Sequence, residues 1–154
     1  MPLSIRRAVP TDAPVIAEFN RLLALESEAK TLDPAVLAAG VSAGLADSLK
    51  GQYFLAEEDG VALGQIQCTT EFSDWRNGWF WWIQSVYVRP EARRRGVFRA
   101  LFEHLYQTAR ADSEVIGLRL YVERDNHAAQ QTYLRTGMEW TSYLVLQKIF
   151  YCTY

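Results

Sequence analysis

Residues 86–98 read VYVRPEARRRGVF, and this stretch decides how the rest of the chain is interpreted. The residues before it, from Trp79 to Val88, are rich in aromatic and β-branched side chains, which predicts a strand that ends at Pro90. A short basic loop follows. Apolar residues then recur at helical spacing from Gly96 to Ala109. The stretch is therefore predicted to be a strand, a loop and the first turn of a helix.

This strand–loop–helix unit has the features of a phosphate site. The first amides of a helix lack intrahelical acceptors and carry the positive end of the helix dipole, so they bind phosphate. Gly96 lets the backbone approach a ligand without a Cβ in the way, and the arginines add positive charge. A solvated basic loop that only caps the helix explains the pattern equally well, because one glycine after arginines is a weak motif.

Working outward from this unit, strands and helices alternate in mixed fashion. Strands are predicted at residues 3–9, 52–57, 61–70, 79–88, 115–122 and 138–150, and helices at 11–29, 34–49, 96–109 and 126–135. The order β-α-α-β-β-β-α-β-α-β predicts an α+β fold, a mixed sheet with helices on both faces. Without a repeat or a linker, residues 1–154 are expected to form a single domain.

Composition narrows the class of protein. Hydrophobic residues make up 49% and charged residues 22% of the 154 residues, which is typical of soluble globular domains. No apolar run is long enough to span a bilayer and no signal peptide is recognised, so a cytoplasmic protein is expected. The net charge of −2 argues against a nucleic-acid partner. Cys68 and Cys152 lie at no metal-ligand spacing, so no metal is expected, and Cys68 is interpreted as a packing residue.

A second motif lies downstream. Residues 126–138 read NHAAQQTYLRTGM and place Tyr133 four residues before Gly137. This pattern and the RRRGVF loop together resemble the GCN5-related N-acetyltransferase (GNAT) superfamily. Its acetyl-CoA signature is Arg or Gln, two residues, Gly, one residue, and Gly or Ala. The loop fits this signature except that Phe98 stands at the last, small position. The order of elements agrees over essentially the whole chain.

The resemblance implies a GNAT-like acyl-CoA N-acyltransferase fold with a mostly antiparallel sheet, and acetyl-CoA as cosubstrate. An amine would attack the thioester directly within a ternary complex. The backbone around Val86, Tyr87 and Val88 would hold the pantetheine arm, which Asn126 would also contact. Tyr133 would act as the general acid. The implied pyrophosphate site comprises Arg93, Arg94, Arg95, Gly96, Val97 and Phe98.

Structural roles compete with several of these assignments. Asn126 also suits a helix N-cap, and Tyr133 could be a core aromatic residue. Many relatives carry a glutamate on the fourth strand, but this chain has Trp82, Gln84 and Ser85 there, and an amide cannot accept a proton at neutral pH. The base is left open between a water chain, bulk solvent, Glu26 and Glu28. The candidate substrate residues are Glu26, Glu28, Trp82 and Gln84, although both glutamates also suit an ordinary helix surface.

Two functions from different classes follow. The first is an N-acetyltransferase acting on a primary amine that the sequence does not identify. The second is a catalytically weak acyl-CoA-binding sensor domain, which the missing carboxylate motivates. A nucleic-acid-binding module is disfavoured by the acidic net charge and by the lack of a stacking-aromatic motif. The aromatic, apolar residues 143–154 are longer than one strand needs, and they predict a two-fold homodimer.

Overall fold

The computed structural model describes residues 2–151; Met1 and residues 152–154, and with them Cys152, lie outside the described residues. The strands are β1 (Ser4–Arg7), β2 (Gln52–Glu58), β3 (Val61–Ser73), β4 (Gly78–Val88) and β5 (Val115–Arg119). The helices are α1 (Ala13–Glu28), α2 (Pro34–Ala46), α3 (Val97–Ala111) and α4 (His127–Arg135), with short 3-10 turns at Pro10–Asp12 and Pro90–Ala92. Within the described residues, no helix is long and apolar enough to cross a membrane.

The five strands form one sheet in the order β1-β2-β3-β4-β5. The first four are antiparallel neighbours, whereas β5 runs parallel to β4. Asp59 and Gly60 close the β2–β3 hairpin with φ angles of 53° and 75°. Two positive φ angles in a two-residue turn match the right-handed twist of the flanking strands. The mixed, mostly antiparallel sheet predicted by the resemblance is confirmed.

Helices cover both faces of the sheet, as predicted. On one face α3 packs against alternate residues of β2, β3 and β4 through a core that includes Ile66, Trp81, Ile83, Leu101 and Leu105. On the other face α1 and α2 pack through Ile16, Phe19, Val41, Leu55 and Tyr87. Cys68 is buried in the α3-face core, and burial raises the pKa of its thiol to about 12, which agrees with a packing role.

Several predicted ends were wrong, and β3, for example, continues to Ser73 rather than ending at residue 70. Helix α2 ends at Ala46, because the Asp47 carboxylate accepts a hydrogen bond from the Leu49 amide and turns the chain, leaving Leu49 90% exposed. Strand β5 ends at Arg119 rather than Val122. Residues 138–150 are not a strand but irregular, because within the described chain no neighbouring strand supplies their backbone hydrogen bonds.

Candidate active site

The site begins where two parallel strands separate. Strands β4 and β5 pair from Trp79 opposite Val115 to Trp82 opposite Arg119, and β4 then continues to Val88 beyond the last β5 pair. The part of β4 that does not pair with β5 contains a β-bulge. Gln67 pairs with Gln84 and Gln65 with Tyr87, so β4 has one residue more than β3 between these two pairs. Bulges bend a strand and re-aim its side chains. The second half of β4 therefore borders a gap in the sheet.

A buried side chain holds the bulge in place. Ser85 adopts a φ of 48°, which is rare for a residue with a Cβ. The Gln65 side chain is fully buried, and its Nε2 donates to the Ser85 carbonyl oxygen at 3.0 Å and to Asn20 Oδ1 at 2.7 Å. Within residues 2–151, Gln65 Oε1 has no hydrogen-bond partner. Gln65 thus ties the bulged backbone to α1 from the face away from α3.

The gap opens into a cleft of about 610 Å³. The end of α1, the end of β4 and the start of α4 form its walls. Its lining residues are Leu23, Glu26, Ser27, Val86, Tyr87, Val88, Arg93, Glu123, Asp125, Asn126 and Ala129. The cleft thus brings together six of the predicted site residues from three distant parts of the sequence, namely Glu26, Val86, Tyr87, Val88, Arg93 and Asn126.

The basic loop after β4 presents backbone donors. Arg94 and Gly96 adopt left-handed φ angles of 63° and 83°, and Gly96 is the N-cap of α3. Within the described part of the chain, the amides of residues 94–98 have no hydrogen-bond acceptor. Successive amides in such a turn form a concave anion site, reinforced by the helix dipole. A Cβ at Gly96 would meet nothing within 4 Å, so the space in front of the loop is open to a ligand.

Two of the three predicted phosphate-site arginines already have carboxylate partners. Arg93 donates through Nη2 to Glu26 Oε1 at 2.8 Å and through Nε to the Val88 carbonyl oxygen at 3.0 Å. Arg95 forms an ion pair with Glu58. The amides and the exposed Arg94 are therefore the donors that this loop leaves available to an anion.

Glu26 connects α1 to the end of β4. The Tyr87 hydroxyl donates to Glu26 Oε2 at 2.6 Å, and burial together with this carboxylate raises the pKa of Tyr87 to about 12. The hydrogen bond from Tyr87 and the guanidinium of Arg93 lower the pKa of Glu26. Glu26 is consequently an ionised carboxylate with two partners, which makes it a poor proton acceptor at neutral pH.

Asn126 caps α4 and also lines the cleft. Its Oδ1 accepts a hydrogen bond from the Ala129 amide at 3.1 Å, so the structural role considered from the sequence is present. The cap uses only the side-chain oxygen. The amide NH₂ group remains a donor that can serve a ligand in the cleft.

Tyr133 lies one turn beyond Ala129 on the same side of α4. Burial raises the pKa of its hydroxyl to about 12, so the hydroxyl is protonated throughout the physiological range. The Phe98 ring meets the Tyr133 ring edge-on, with centroids 5.6 Å apart. Phe98 also packs on Phe102 and the α3-face core. The Phe98 side chain, which stands where the signature has a small residue, therefore points inward and leaves the loop amides open.

The remaining predicted residues lie outside the cleft. Residues 94–98 directly follow Arg93 of the cleft lining along the chain, and Tyr133 lies one turn beyond Ala129 of that lining. Glu28 lines a depression at the end of α1 that shares Glu26, Ser27 and Glu123 with the cleft. Trp82 and Gln84 occupy the opposite sheet face from Trp81 and Ile83, because successive side chains of a strand point to opposite faces. There the Trp82 ring lies 5.9 Å from Tyr121.

Sequence reasoning missed several residues around the site. Glu71 on β3 lies 3.4 Å from Trp82 Nε1, which only the β3–β4 register brings about. Glu123 and Asp125 line the cleft from the segment after β5. The run of charged residues just before Asn126 is the sequence feature that could have indicated them. Gln65 gave no signal, because its role depends on the bulge opposite it.

Comparisons with known proteins identify the family of the chain. The model of the acetyltransferase (GNAT) family matches residues 19–138. A possible acetyltransferase from Clostridium difficile 630 is 41% identical, with a TM-score of 0.93 over 99% of this chain and 100% of that chain. A search of curated proteins finds no significant match.

More distant structures share the fold. A predicted acetyltransferase from Clostridium acetobutylicum, solved with acetyl-CoA, is 17% identical, with a TM-score of 0.78 over 95% of this chain and 96% of that chain. An aminoglycoside N-acetyltransferase in complex with CoA is 18% identical, with a TM-score of 0.76 over 97% of this chain and 95% of that chain. The chain belongs to the GNAT family of acetyltransferases.

Proposed function

We propose that this protein is an N-acetyltransferase that moves the acetyl group of acetyl-CoA to a primary amine by direct attack within a ternary complex. One observation carries the proposal: the amides of residues 94–98, which have no acceptor within the described chain, follow directly on Arg93, and Arg93 lines the cleft together with Val86, Val88 and Asn126. An anionic cofactor with a long, hydrogen-bonding arm fits such a site, because the amides suit its phosphates and the β4 edge suits its amide groups.

Each part of the cleft then has a role. The amides of residues 94–98 bind the pyrophosphate. The free edge of β4 between Ile83 and Val88 binds the pantetheine arm, and the Asn126 amide group donates to it. A backbone amide next to the bulge, held by Gln65, polarises the thioester carbonyl as negative charge develops on its oxygen.

The group transfer balances with one proton donor. The amine nitrogen forms a bond to the acetyl carbon, the carbon–sulfur bond breaks, and the sulfur takes a proton from the Tyr133 hydroxyl. The proton lost by the amine goes to solvent, from which Tyr133 is reprotonated. Burial raises the pKa of Tyr133 and would raise the pKa of a thiol beside it in the same direction, so the phenol and the departing sulfur stay matched for the proton transfer.

The amine must arrive neutral, because an ammonium nitrogen has no lone pair for the attack, and Glu26 is too weak a base to deprotonate it in the cleft. Glu26 is held ionised by Arg93 and Tyr87. We therefore predict that kcat/KM rises about tenfold per pH unit from pH 6 to 9, since the neutral fraction of an amine with a pKa of about 10 rises by that factor. Thiol release measured across this range checks the slope. Acetyl-CoA binding over the same range is the control, and a plateau below pH 8 would show a base on the protein.

Turnover against a panel of primary amines tests the proposal as a whole. We expect amine-dependent release of CoA thiol and an acetylated product of matching mass. The sensor alternative predicts acetyl-CoA binding without turnover for every amine. We also propose that the protein is cytoplasmic, where thiols such as the free, buried Cys68 stay reduced. We further propose that it acts as a homodimer.

A further inference from the structure

Part of one sheet face is left outside both hydrophobic cores. Residues opposite each other in an antiparallel ladder point to the same face. Three such pairs of β3 and β4 lie on the face away from α3, and we call them the open strip: Gln67 with Gln84, Thr69 with Trp82, and Glu71 with Phe80. All six residues are half-buried or exposed, whereas Trp81 and Ile83 between them on β4 are buried beneath α3.

The open strip leads along β4 to the bulge. Gln84 is its last residue, and Ser85 follows directly with the positive φ of the bulge. Helices α1 and α2 cover this face only further along, where they pack on Tyr87. In the proposed function the cofactor fills the cleft beyond the bulge. The open strip is then the surface along which the acceptor extends away from its reacting nitrogen.

Trp82 presents a fixed aromatic ring at the centre of the open strip. Its Nε1 donates to Glu71 Oε1 at 3.4 Å. On its other side lies Tyr121, with ring centroids 5.9 Å apart and planes at 51°. Tyr121 is 61% exposed, so this pair of rings forms an apolar wall that is open to a ligand. Rings held in place lose little rotamer freedom when they bind a ligand.

The charges of the open strip already have partners. Glu71 is its one carboxylate, and Arg119 donates through Nη1 to Glu71 Oε1 at 3.3 Å. The Arg119 guanidinium also lies 3.6 Å from the centroid of the Phe80 ring. The open strip therefore offers no unpaired carboxylate to the second ammonium group of a polyamine or an aminosugar. The rings of Trp82 and Tyr121 are its available binding groups.

We propose that the acceptor is a primary amine joined by a short chain to a flat aromatic ring, and that this ring packs on Trp82 and Tyr121. Trp82 lies three residues before Ser85, a distance of about 10 Å along a strand. A ring with a chain of two or three carbons bridges such a distance and places its nitrogen at the bulge. This inference names the substrate class of the proposed acetyl transfer and rests on it.

Two amines of matched size test the ring site. 2-Phenylethylamine and 2-cyclohexylethylamine have the same carbon skeleton, but only the first carries a flat π-system. With rates expressed per concentration of neutral amine, we expect kcat/KM of the wild type to be about tenfold higher for 2-phenylethylamine, because packing between aromatic rings contributes beyond the area buried. Spermidine should react more slowly than either amine.

Substitutions locate the preference on the protein. Trp82→Leu should reduce the ratio of the two kcat/KM values to within about threefold. Trp75→Leu is the matched control, because it removes an indole that is 86% exposed in the β3–β4 turn, outside the open strip, and it should keep the wild-type ratio. Tyr121→Leu truncates an exposed ring and should also lower the ratio, so the test holds even if Trp82→Leu fails to fold.

Calorimetric titration of each amine into the protein with CoA measures the same preference without turnover. Tighter binding of 2-phenylethylamine with no turnover of any amine would refute acetyl transfer and support the ring site. Turnover with a wild-type ratio within twofold, or faster turnover of spermidine, would overturn the ring site and leave acetyl transfer standing. A wild-type ratio retained in both Trp82→Leu and Tyr121→Leu, or no binding of any amine, would overturn it as well.

Discussion

Replacing Gly96 with glutamate is expected to abolish measurable acetyl-CoA binding, weakening it at least 100-fold. The amides of residues 94–98 and the exposed Arg94 are the donors that the described loop leaves open to a phosphate, and the Gly96 Cβ position faces empty space in front of it. A glutamate there would place a carboxylate among these donors and repel the pyrophosphate. A 100-fold loss corresponds to about 2.7 kcal/mol of binding free energy.

Gly96→Gln is the matched control for charge. It carries a side chain of the same size at the same φ of 83°, so it shares the backbone strain and the steric effect. We expect calorimetry to show a smaller loss of affinity in Gly96→Gln than in Gly96→Glu, with similar melting temperatures for the two proteins. Binding by Gly96→Glu within threefold of wild type would exclude this loop as the pyrophosphate site.

Replacing Tyr133 with phenylalanine is expected to lower turnover by 10²–10⁴-fold, the usual contribution of a general acid. The change keeps the ring that packs edge-on against Phe98 and removes only the hydroxyl. Burial alone shifts the pKa of this hydroxyl, and within residues 2–151 it has no hydrogen-bond partner, so its loss leaves no buried group unsatisfied. Acetyl-CoA affinity and melting temperature should therefore stay nearly unchanged. Thiol release under single-turnover conditions measures the chemical step.

Tyr106→Phe provides the comparison for the loss of a tyrosine hydroxyl. Tyr106 stacks on Phe102 in α3 and is 39% exposed, away from the cleft. Its turnover should match that of the wild type. If Tyr133→Phe also turns over within about twofold of the wild type while chemistry limits the rate, Tyr133 is a packing residue and the departing sulfur takes its proton from elsewhere.

The sequence predicted the fold well where local signals were strong. The break at Pro90, the capping Asp33 before Pro34, and the Asp59–Gly60 turn all fix element ends through the backbone itself. The order of these elements and the two motifs were sufficient to indicate the family. The C-terminal strand was not predicted correctly, because whether an extended segment becomes a strand depends on a neighbour that the sequence does not specify.

The site could be predicted only in part. Residues within the two motifs were found because their spacing along the chain is fixed, as with Gly96 and Tyr133. The role of Gln65 depends on a bulge at Ser85, which lies 20 residues further along the chain. The pairing of Arg93 with Glu26 joins residues 67 positions apart. These contacts arise from the sheet register and from the packing of α1, which no single-sequence pattern encodes.

Calorimetric titration of the wild-type protein with acetyl-CoA tests the central claim most directly, because it needs no knowledge of the acceptor. The cleft and its loop predict a Kd in the micromolar range, a binding free energy of about −7 to −8 kcal/mol, and a melting temperature that rises with acetyl-CoA concentration. The absence of both binding heat and a thermal shift at millimolar acetyl-CoA would contradict the claim that this cleft is an acetyl-CoA site.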